Sequence, residues 1–210
     1  MKPAALLLGL VLLTTGSAAA QIAGPTTEGP PAAPSFGPAP RRIELGIVYG
    51  LAVFTERHGG AVWYADAPTS GAMDLQTSPA LGAGGPWAAT GNLRLGARVT
   101  RQAPRLEVTD AEGATTRTDL VLLHCHLELE KTFGGGSARP LLALSGGGVR
   151  AQAEDGSGDQ WHYSAAAGVG ARFAVDPRLA LRLQARVPLI WANGDLVVQL
   201  EPALGAAFLF

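Results

Sequence analysis

The sequence contains little charge, a single cysteine and no apolar run long enough to form a membrane-spanning helix. Charged residues make up 16% of the 210 residues, where about 25% is usual in a soluble domain. The 16 Lys and Arg nearly balance the 17 Asp and Glu, and the formal net charge of −1 excludes a protein that binds nucleic acid through a basic surface. Because Cys125 has no second cysteine to pair with, the fold contains no disulfide within the chain.

Glycine and apolar residues are abundant instead. The chain has 28 Gly and 15 Pro, and 47% of its residues are hydrophobic. Disorder along the whole chain would need low hydrophobicity and a high net charge. The composition therefore predicts one apolar, Gly-rich folded domain, for which 210 residues are sufficient.

The first 42 residues carry the features of a targeting segment and a linker. Residues 1–20 combine a basic start, an apolar run over Ala4–Leu13 and a final Ala-Ala-Ala, as a secretory signal peptide does. A transmembrane helix would need about 20 apolar residues. Residues 21–42 are rich in Pro and Gly, which predicts a disordered tether. We therefore expect export through the Sec-type pathway and a folded domain over residues 43–210.

From Ile43 onward, large apolar side chains alternate with small or charged ones, and this period of two indicates β-strands. The segments are longer than the five or six residues common in soluble sheets. They match the 9–11 residues of a tilted transmembrane strand. The segments with this pattern are 43–56, 89–101, 118–131, 140–153, 161–175, 179–191 and 196–210, with 105–109 as a shorter eighth.

The positions of the charges decide between a soluble sandwich and a membrane barrel. Where the alternation is clean, the charges lie on one face together with Gly and Ala, and the other face is apolar. The first face suits a narrow interior in which Arg and Glu pair. The second suits lipid, where a charge at the bilayer midplane costs about 2–4 kcal/mol. We expect a lumenal ion-pair network of Glu44, Glu56, Arg94, Arg98, His124, His126, Glu128, Glu130, Arg172, Arg182, Arg186 and Glu201.

The connections predict how the strands cross the membrane, and an even number of strands, eight, is expected. Residues 102–104, 134–139 and 176–178 are predicted as short periplasmic turns. Residues 57–88, 110–117, 154–160 and 192–195 are predicted as outward loops, and the long loop 57–88 is the expected contact for an extracellular ligand. Aromatic girdles are expected from Trp161, Tyr163 and Trp191 at the outer surface and from Phe173, Phe208 and Phe210 at the inner surface.

The C-terminal part carries a family resemblance. The end Gly205-Ala-Ala-Phe208-Leu-Phe210 resembles the signal by which outer-membrane barrels are recognised by the barrel-assembly machinery. The stretch Tyr163–Ala185 is similar to the penultimate hairpin of small eight-stranded barrels such as the OmpA transmembrane domain and the opacity-type surface proteins. This resemblance covers residues 43–210. It implies an all-β, antiparallel, up-and-down transmembrane barrel in the outer membrane, with lipid and the assembly machinery as partners.

Two groups of residues could carry chemistry. His124 and His126 share a face of a strand while Cys125 points the other way, so the three cannot close around one metal ion. A lumenal metal site of His124, His126 and the two following Glu is an alternative to their place in the ion-pair network. His162 and Ser164 also share a face and resemble the His-x-Ser pair of lipid A deacylases, but that face is lumenal.

Three functions remain open. A structural or surface-exposed barrel is favoured, because eight strands leave an interior just wide enough for side chains. The alternatives are a narrow, porin-like pore for water or small solutes, and a lipid A-modifying hydrolase that uses His162 and Ser164. For the favoured barrel we expect a monomer without cofactor or metal.

Overall fold

The computed structural model describes residues 43–210 except 55–57, 60–71, 91, 111, 155, 157 and 193–194. The expected signal peptide, tether and Glu56 lie outside the described residues. No helix among the described residues is long and apolar enough to cross a membrane. The strands are β1 Glu44–Phe54, β2 His58–Gly59, β3 Ala72–Leu75, β4 Ser78–Thr90, β5 Leu93–Gln102, β6 Arg105–Thr109, β7 Thr115–Thr132, β8 Ala138–Ala153, β9 Asp159–Ala174, β10 Leu179–Ala192 and β11 Asp195–Leu209.

Eight of these strands form a closed antiparallel barrel. Around the barrel they follow the order β1, β4, β5, β7, β8, β9, β10 and β11, and β11 pairs with β1. Each strand pairs with its neighbours in the antiparallel sense, which confirms the expected fold class. Pro188 and Pro202 are accommodated within β10 and β11, where they lie opposite Ala166 and Ala185.

The pairing register shows how the sheet is sheared as it closes. From Val99 on β5, directly paired residues lead through β7 and β8 to Tyr163 on β9. In the other direction they lead through β4, β1, β11 and β10 to Phe173, ten residues further along the same strand. A closed eight-stranded sheet with such a stagger has strands tilted by about 35–45° to the barrel axis.

The two ends of the barrel differ. The end at which β1 begins and β11 finishes is called the terminal end. It also carries the connections 91–92, 133–137 and 175–178. The opposite, distal end carries the longer connections 55–77 and 103–114. In the outer-membrane barrel that the sequence predicts, the turns at the periplasmic end are short and the extracellular loops are longer, so we expect the distal end to face the outside.

The structure corrects the expected long loop 57–88, since β4 begins at Ser78 and is a full barrel strand. The segment was predicted as a loop because it is long and rich in Gly and Pro, and its glycines include Gly82, Gly84 and Gly85. These glycines are instead required by the close approach of neighbouring strands. A Cβ atom at Gly84 would clash with the carbonyl oxygen of Ala97, and one at Gly85 would clash with backbone of the adjoining β1.

The structure also corrects segments 105–109 and 102–104. Arg105 on β6 pairs with Asp119 on β7 in the same register by which Gln102 on β5 pairs with Leu122. β5 and β6 therefore form one nearly continuous strand beside β7. Residues 103–104 interrupt it at the distal end and are not a periplasmic turn. β6 pairs with β3, and β3 with β2. We call β2, β3, β6 and Thr115–Asp119 the distal extension, because they continue the wall beyond the eight-stranded barrel.

Candidate functional site in the barrel lumen

The outside of the barrel is an apolar belt. Alternate residues of each barrel strand point outward, and many large apolar side chains among them are more than half exposed. They include Leu45, Ile47, Tyr49, Leu81, Leu127, Leu144, Leu183 and Leu204. A continuous apolar surface of this kind marks contact with lipid or another apolar partner.

Aromatic side chains lie at both edges of this belt. Trp161, Tyr163 and Trp191 are exposed toward the distal end, and Tyr163 has 83% of its surface accessible. Phe173, Phe208 and Phe210 are exposed toward the terminal end. The backbone N–H of Phe210 donates to the carbonyl of Ile43 at 2.9 Å, which ties the chain end to the start of β1. Of the expected assembly signal, Gly205 is buried and the two Phe side chains face outward.

The lumen near the terminal end contains a carboxylate shared by two arginines. Glu44 on β1 is buried, and Arg94 on β5 donates to its Oε2. Arg172 on β9 donates to the same oxygen at 2.9 Å. β1 and β9 are three strand positions apart around the barrel. The Arg172–Glu44 pair therefore crosses the interior, where it fills space that a pore would need.

A second cluster lies further along the lumen. Arg182 on β10 sits between Glu128 and Glu130 on β7, at 2.7 and 2.9 Å. Arg98 on β5 lies 3.6 Å from Glu128 and donates to Gln184 on β10 at 3.0 Å. Because β5 and β10 are four positions apart in a ring of eight, this last hydrogen bond spans the barrel from wall to opposite wall.

The central cluster is built around Arg186, one of the most buried side chains of the described residues. Its guanidinium donates to Glu201 at 3.2 Å, to Ser145 at 3.1 Å and to Nδ1 of His126 at 3.1 Å. The amide of Gln102 donates to the second oxygen of Glu201 at 3.4 Å. Sequence reasoning missed the contributions of Gln102 and Ser145, since neutral polar residues do not stand out among inward-facing positions.

The geometry around Ser164 does not resemble an activated nucleophile. Ser164 Oγ lies 3.1 Å from Nε2 of His126, on a different strand from the expected partner His162. Arginine is always a donor, so Nδ1 of His126 accepts from Arg186 and the proton of the neutral ring is on Nε2. His126 therefore donates to Ser164, whereas a catalytic base would accept the serine proton. Both His162 and Ser164 are buried in the lumen.

A layer of apolar side chains fills the lumen toward the distal end, above the central cluster. Leu75 on β3 and Leu106 on β6 belong to it, so the distal extension helps to cover the barrel. Sequence reasoning missed this layer. A signal was present, because Leu120 and Leu122 occupy the inward positions of β7 just before His124. The members at 0 to 1% exposure are Leu106, Leu120, Leu122, Val149, Ala151, Ala153, Ile190 and Val197.

The described part of the lumen therefore contains three polar clusters and, toward the distal end, one apolar layer. In the described part of the chain, five lumenal Arg face four lumenal Glu, and Glu56 is not among the described residues. No group of three or more His, Cys, Asp or Glu side chains in that part is arranged to hold a metal ion. The lumen is thus dominated by charge pairs within the wall and across the interior.

No family model matches this chain, and no curated protein matches it. Among solved structures it is similar to neisserial surface protein A, with a TM-score of 0.55 and 18% identity, over 80% of this chain and 96% of that one. It is also similar to the outer membrane protein OprG from Pseudomonas aeruginosa, with a TM-score of 0.54 and 13% identity, over 81% and 97% of the two chains. The chain therefore has the eight-stranded β-barrel fold that these two proteins share, with an apolar belt of the kind that contacts lipid around its outer face.

Proposed function

We propose that the protein is a structural, surface-exposed barrel whose lumen is closed to ions and solutes. The observation that carries this proposal is the set of contacts that cross the interior. Arg98 reaches Gln184 on the opposite wall, and Arg182 and Arg186 of β10 reach across to residues of β7. For an eight-stranded barrel to form an open channel, these side chains would have to leave their partners and move out of the lumen.

The energetics of these pairs favour a permanently closed lumen. Arg186 and Glu201 have side-chain exposures of 2% and 1%. Separating a buried pair leaves each charge without compensation, and removing one partner of such a pair typically costs about 3–5 kcal/mol. A gate that opened at this cost would be open less than about one part in a hundred of the time. The closed state is therefore the expected resting state.

The apolar distal layer supports the same function. Leu122, Ile190 and Val197 are fully buried inside the barrel, toward its distal end. An ion that entered from the outside would have to lose its hydration before it reached the first lumenal charge. Such desolvation is the principal barrier to moving charge through an apolar constriction.

A narrow route for water is the second candidate function, and one observation favours it. Among the described residues, Ser78 Oγ, Thr100 Oγ1, Gln102 Oε1 and both polar atoms of the Gln199 side chain are buried without a hydrogen-bond partner. Buried polar groups of this kind are commonly satisfied by internal water. Water in the central lumen would reach the outside only through the apolar distal layer, so we favour the closed barrel.

The contact surface for an extracellular partner would then be the distal extension together with the loops beside it. Two exposed ion pairs brace this surface: Arg105–Asp119 and Arg117–Glu107, each at 2.8 Å. A braced sheet that stands beyond the lipid belt is a rigid platform for recognition. The outward Phe208 and Phe210 are proposed as the signal read by the barrel-assembly machinery, and the protein is proposed to be a monomer without enzymatic activity.

Liposome permeation separates these functions. Purified protein is refolded into liposomes, and the stopped-flow shrinkage of the vesicles is recorded in sucrose and in small sugars. The closed barrel predicts water and arabinose permeabilities equal to those of empty liposomes. Faster water flow with unchanged arabinose flow would instead support the water route, and faster arabinose entry would establish a solute pore.

A test variant and a control variant show whether the lumenal ion pairs close the barrel to solutes. Replacing Glu128 and Glu130 together by Ala removes both carboxylates beside Arg182. Because the apolar distal layer remains in place, we expect leakage only when this change is combined with Leu122→Ala in that layer, provided that the combined variant still shows the gel-mobility difference between boiled and unboiled samples. Replacing Glu107 by Ala in the distal extension removes an exposed pair and is expected to leave permeability unchanged.

A further inference from the structure

The outward face of the barrel is charged on one side only. In β1, in Ser78–Trp87 of β4, in β10 and in Leu196–Phe208 of β11, the described outward side chains carry no charge. Near the distal end of the opposite wall, four described arginines point outward. Arg117 on β7 pairs with Glu107 within the distal extension. The other three are Arg101 on β5, Arg105 on β6 and Arg150 on β8.

Two of the three have acidic partners. Arg105 donates to Asp119 at 2.8 Å. Arg150 donates hydrogen bonds from two of its nitrogens to the carboxylate of Asp159. Arg101 has no acidic partner among the described residues, and its side chain is exposed. A permanent charge on a lipid-facing strand is stabilised when it reaches the membrane surface, where interfacial water or an anion from outside the chain can contact it.

The pairing register places Arg101 between apolar neighbours and below the outer aromatic girdle. Arg101 lies directly opposite Leu81 on β4 and Leu123 on β7, and Leu123 lies opposite Arg150. Arg150 in turn lies opposite Trp161 on β9, so Arg101, Leu123, Arg150 and Trp161 form one row of directly paired residues. Because the strands tilt, the row rises toward β9, so the backbone of Arg101 is deeper in the belt than that of Trp161.

The three guanidinium groups can nevertheless converge near the membrane surface. Two strand spacings separate Arg101 from Arg150, which puts their backbones about 10 Å apart. Arg105 lies four residues further toward the distal end, about 13 Å along the same line. A long arginine side chain extends along apolar surface and brings its charge to the level of the lipid head groups. The side chain of Arg101 would rise past Leu123 toward the two paired arginines.

We propose that Arg101, with Arg150 and Arg105 above it, forms a binding site for a phosphate group of a glycolipid in the outer leaflet. The guanidinium fork matches the oxygens of a phosphate and carries its charge at every physiological pH. Clusters of Arg beside a membrane-spanning element commonly bind anionic lipid head groups. The occupant is a lipid and not a second protein, because Arg101 lies within the belt whose neighbouring side chains face acyl chains.

The test uses the full chain refolded in detergent micelles and native mass spectrometry, with bisphosphorylated lipid A as the probe. Enzymatically dephosphorylated lipid A is the matched ligand. We expect the phosphorylated form to bind and the dephosphorylated form to bind at least tenfold more weakly, the size of effect expected when a charge-assisted hydrogen bond is lost. Arg101→Ala should weaken binding of lipid A about tenfold, and Arg101→Lys less.

Lys131 supplies a matched control. It is an outward, exposed cation on β7 near the terminal end, away from the proposed site. Lys131→Ala should leave lipid A binding unchanged. The proposal is overturned if Arg101→Ala binds as the unmodified protein does, if both variants lose binding equally, or if dephosphorylated lipid A binds equally well. Equal, Arg101-dependent binding of phosphatidylglycerol would also overturn it, because the site would then select any phosphate head group.

Discussion

Removal of Arg186 isolates the energy of the central lumenal cluster. In Arg186→Ala, the carboxylate of Glu201 loses its partner at 3.2 Å and keeps the longer hydrogen bond from Gln102 at 3.4 Å. His126 and Ser145 lose donors at 3.1 Å in the same step. An uncompensated buried charge of this kind costs about 3–5 kcal/mol. We therefore expect the free energy of unfolding to fall by about that amount.

The double variant Arg186→Met/Glu201→Gln provides the control. It removes both charges and keeps similar volumes, and replacing a buried pair by neutral groups is often nearly neutral. We expect it to be more stable than Arg186→Ala, with a coupling energy of about 2 kcal/mol between the two positions. The assay is urea unfolding in lipid vesicles, followed by tryptophan fluorescence and by the gel-mobility difference between folded and unfolded protein. A cost below about 1 kcal/mol for Arg186→Ala would refute the reasoning, since the pair would then be hydrated.

Three further predictions concern the belt and the distal layer. Leu127→Arg should destabilise the barrel in vesicles by about 2–4 kcal/mol because Leu127 lies on the apolar belt. Thr115→Arg, at an exposed and outward position of the distal extension, should change stability by less than about 0.5 kcal/mol; equal effects would contradict the belt. Leu122→Ala should cost about 2–5 kcal/mol in the same unfolding assay, because Leu122 is fully buried, and a negligible cost would mean that the layer is loosely packed. Cys125, an outward and half-buried residue, should react in whole cells with a membrane-permeant maleimide but not with a charged one. A cysteine placed at Thr116 should react with both, and modification of Cys125 by the charged reagent would show that this face is open to water.

The facing of side chains was predictable from the sequence because it depends on a local period of two. In β7, His124, His126 and Glu128 alternate with Cys125 and Leu127, and the structure buries the first set and leaves the second set at the outer surface. No long-range information is needed for that assignment, since one correctly placed residue fixes the facing of a whole strand. The fold class followed for the same reason.

The strand boundaries at the distal end were not predictable in this way. The Gly-rich start of β4 reads as a loop, and the need for small residues there arises only when β1 and β5 lie against it. Ala103 and Pro104 read as a turn, although the pairing of β5 and β6 with β7 continues past them without a change of register. Both features depend on neighbours distant in sequence.

The partners of the lumenal charges also depend on the closure of the barrel. The sequence predicts that Arg98 and Glu128 point inward, but the stagger of the sheet decides which Glu each Arg meets. Arg98 thus has Gln184 on the opposite wall as its shorter contact, at 3.0 Å, while Glu128 is 3.6 Å away. Arg101 lies within the predicted segment 89–101 but on its outward face, which was expected to be apolar.

Single-channel recording tests the closed lumen most directly. Refolded protein is added to a planar bilayer in 1 M KCl, and insertion is verified independently by recovering the folded form from the membrane. Cross-lumen ion pairs and the apolar distal layer together predict no discrete conductance steps at voltages up to about 100 mV, where the field supplies about 2.3 kcal/mol per elementary charge. Reproducible steps from the unmodified protein would contradict a closed lumen.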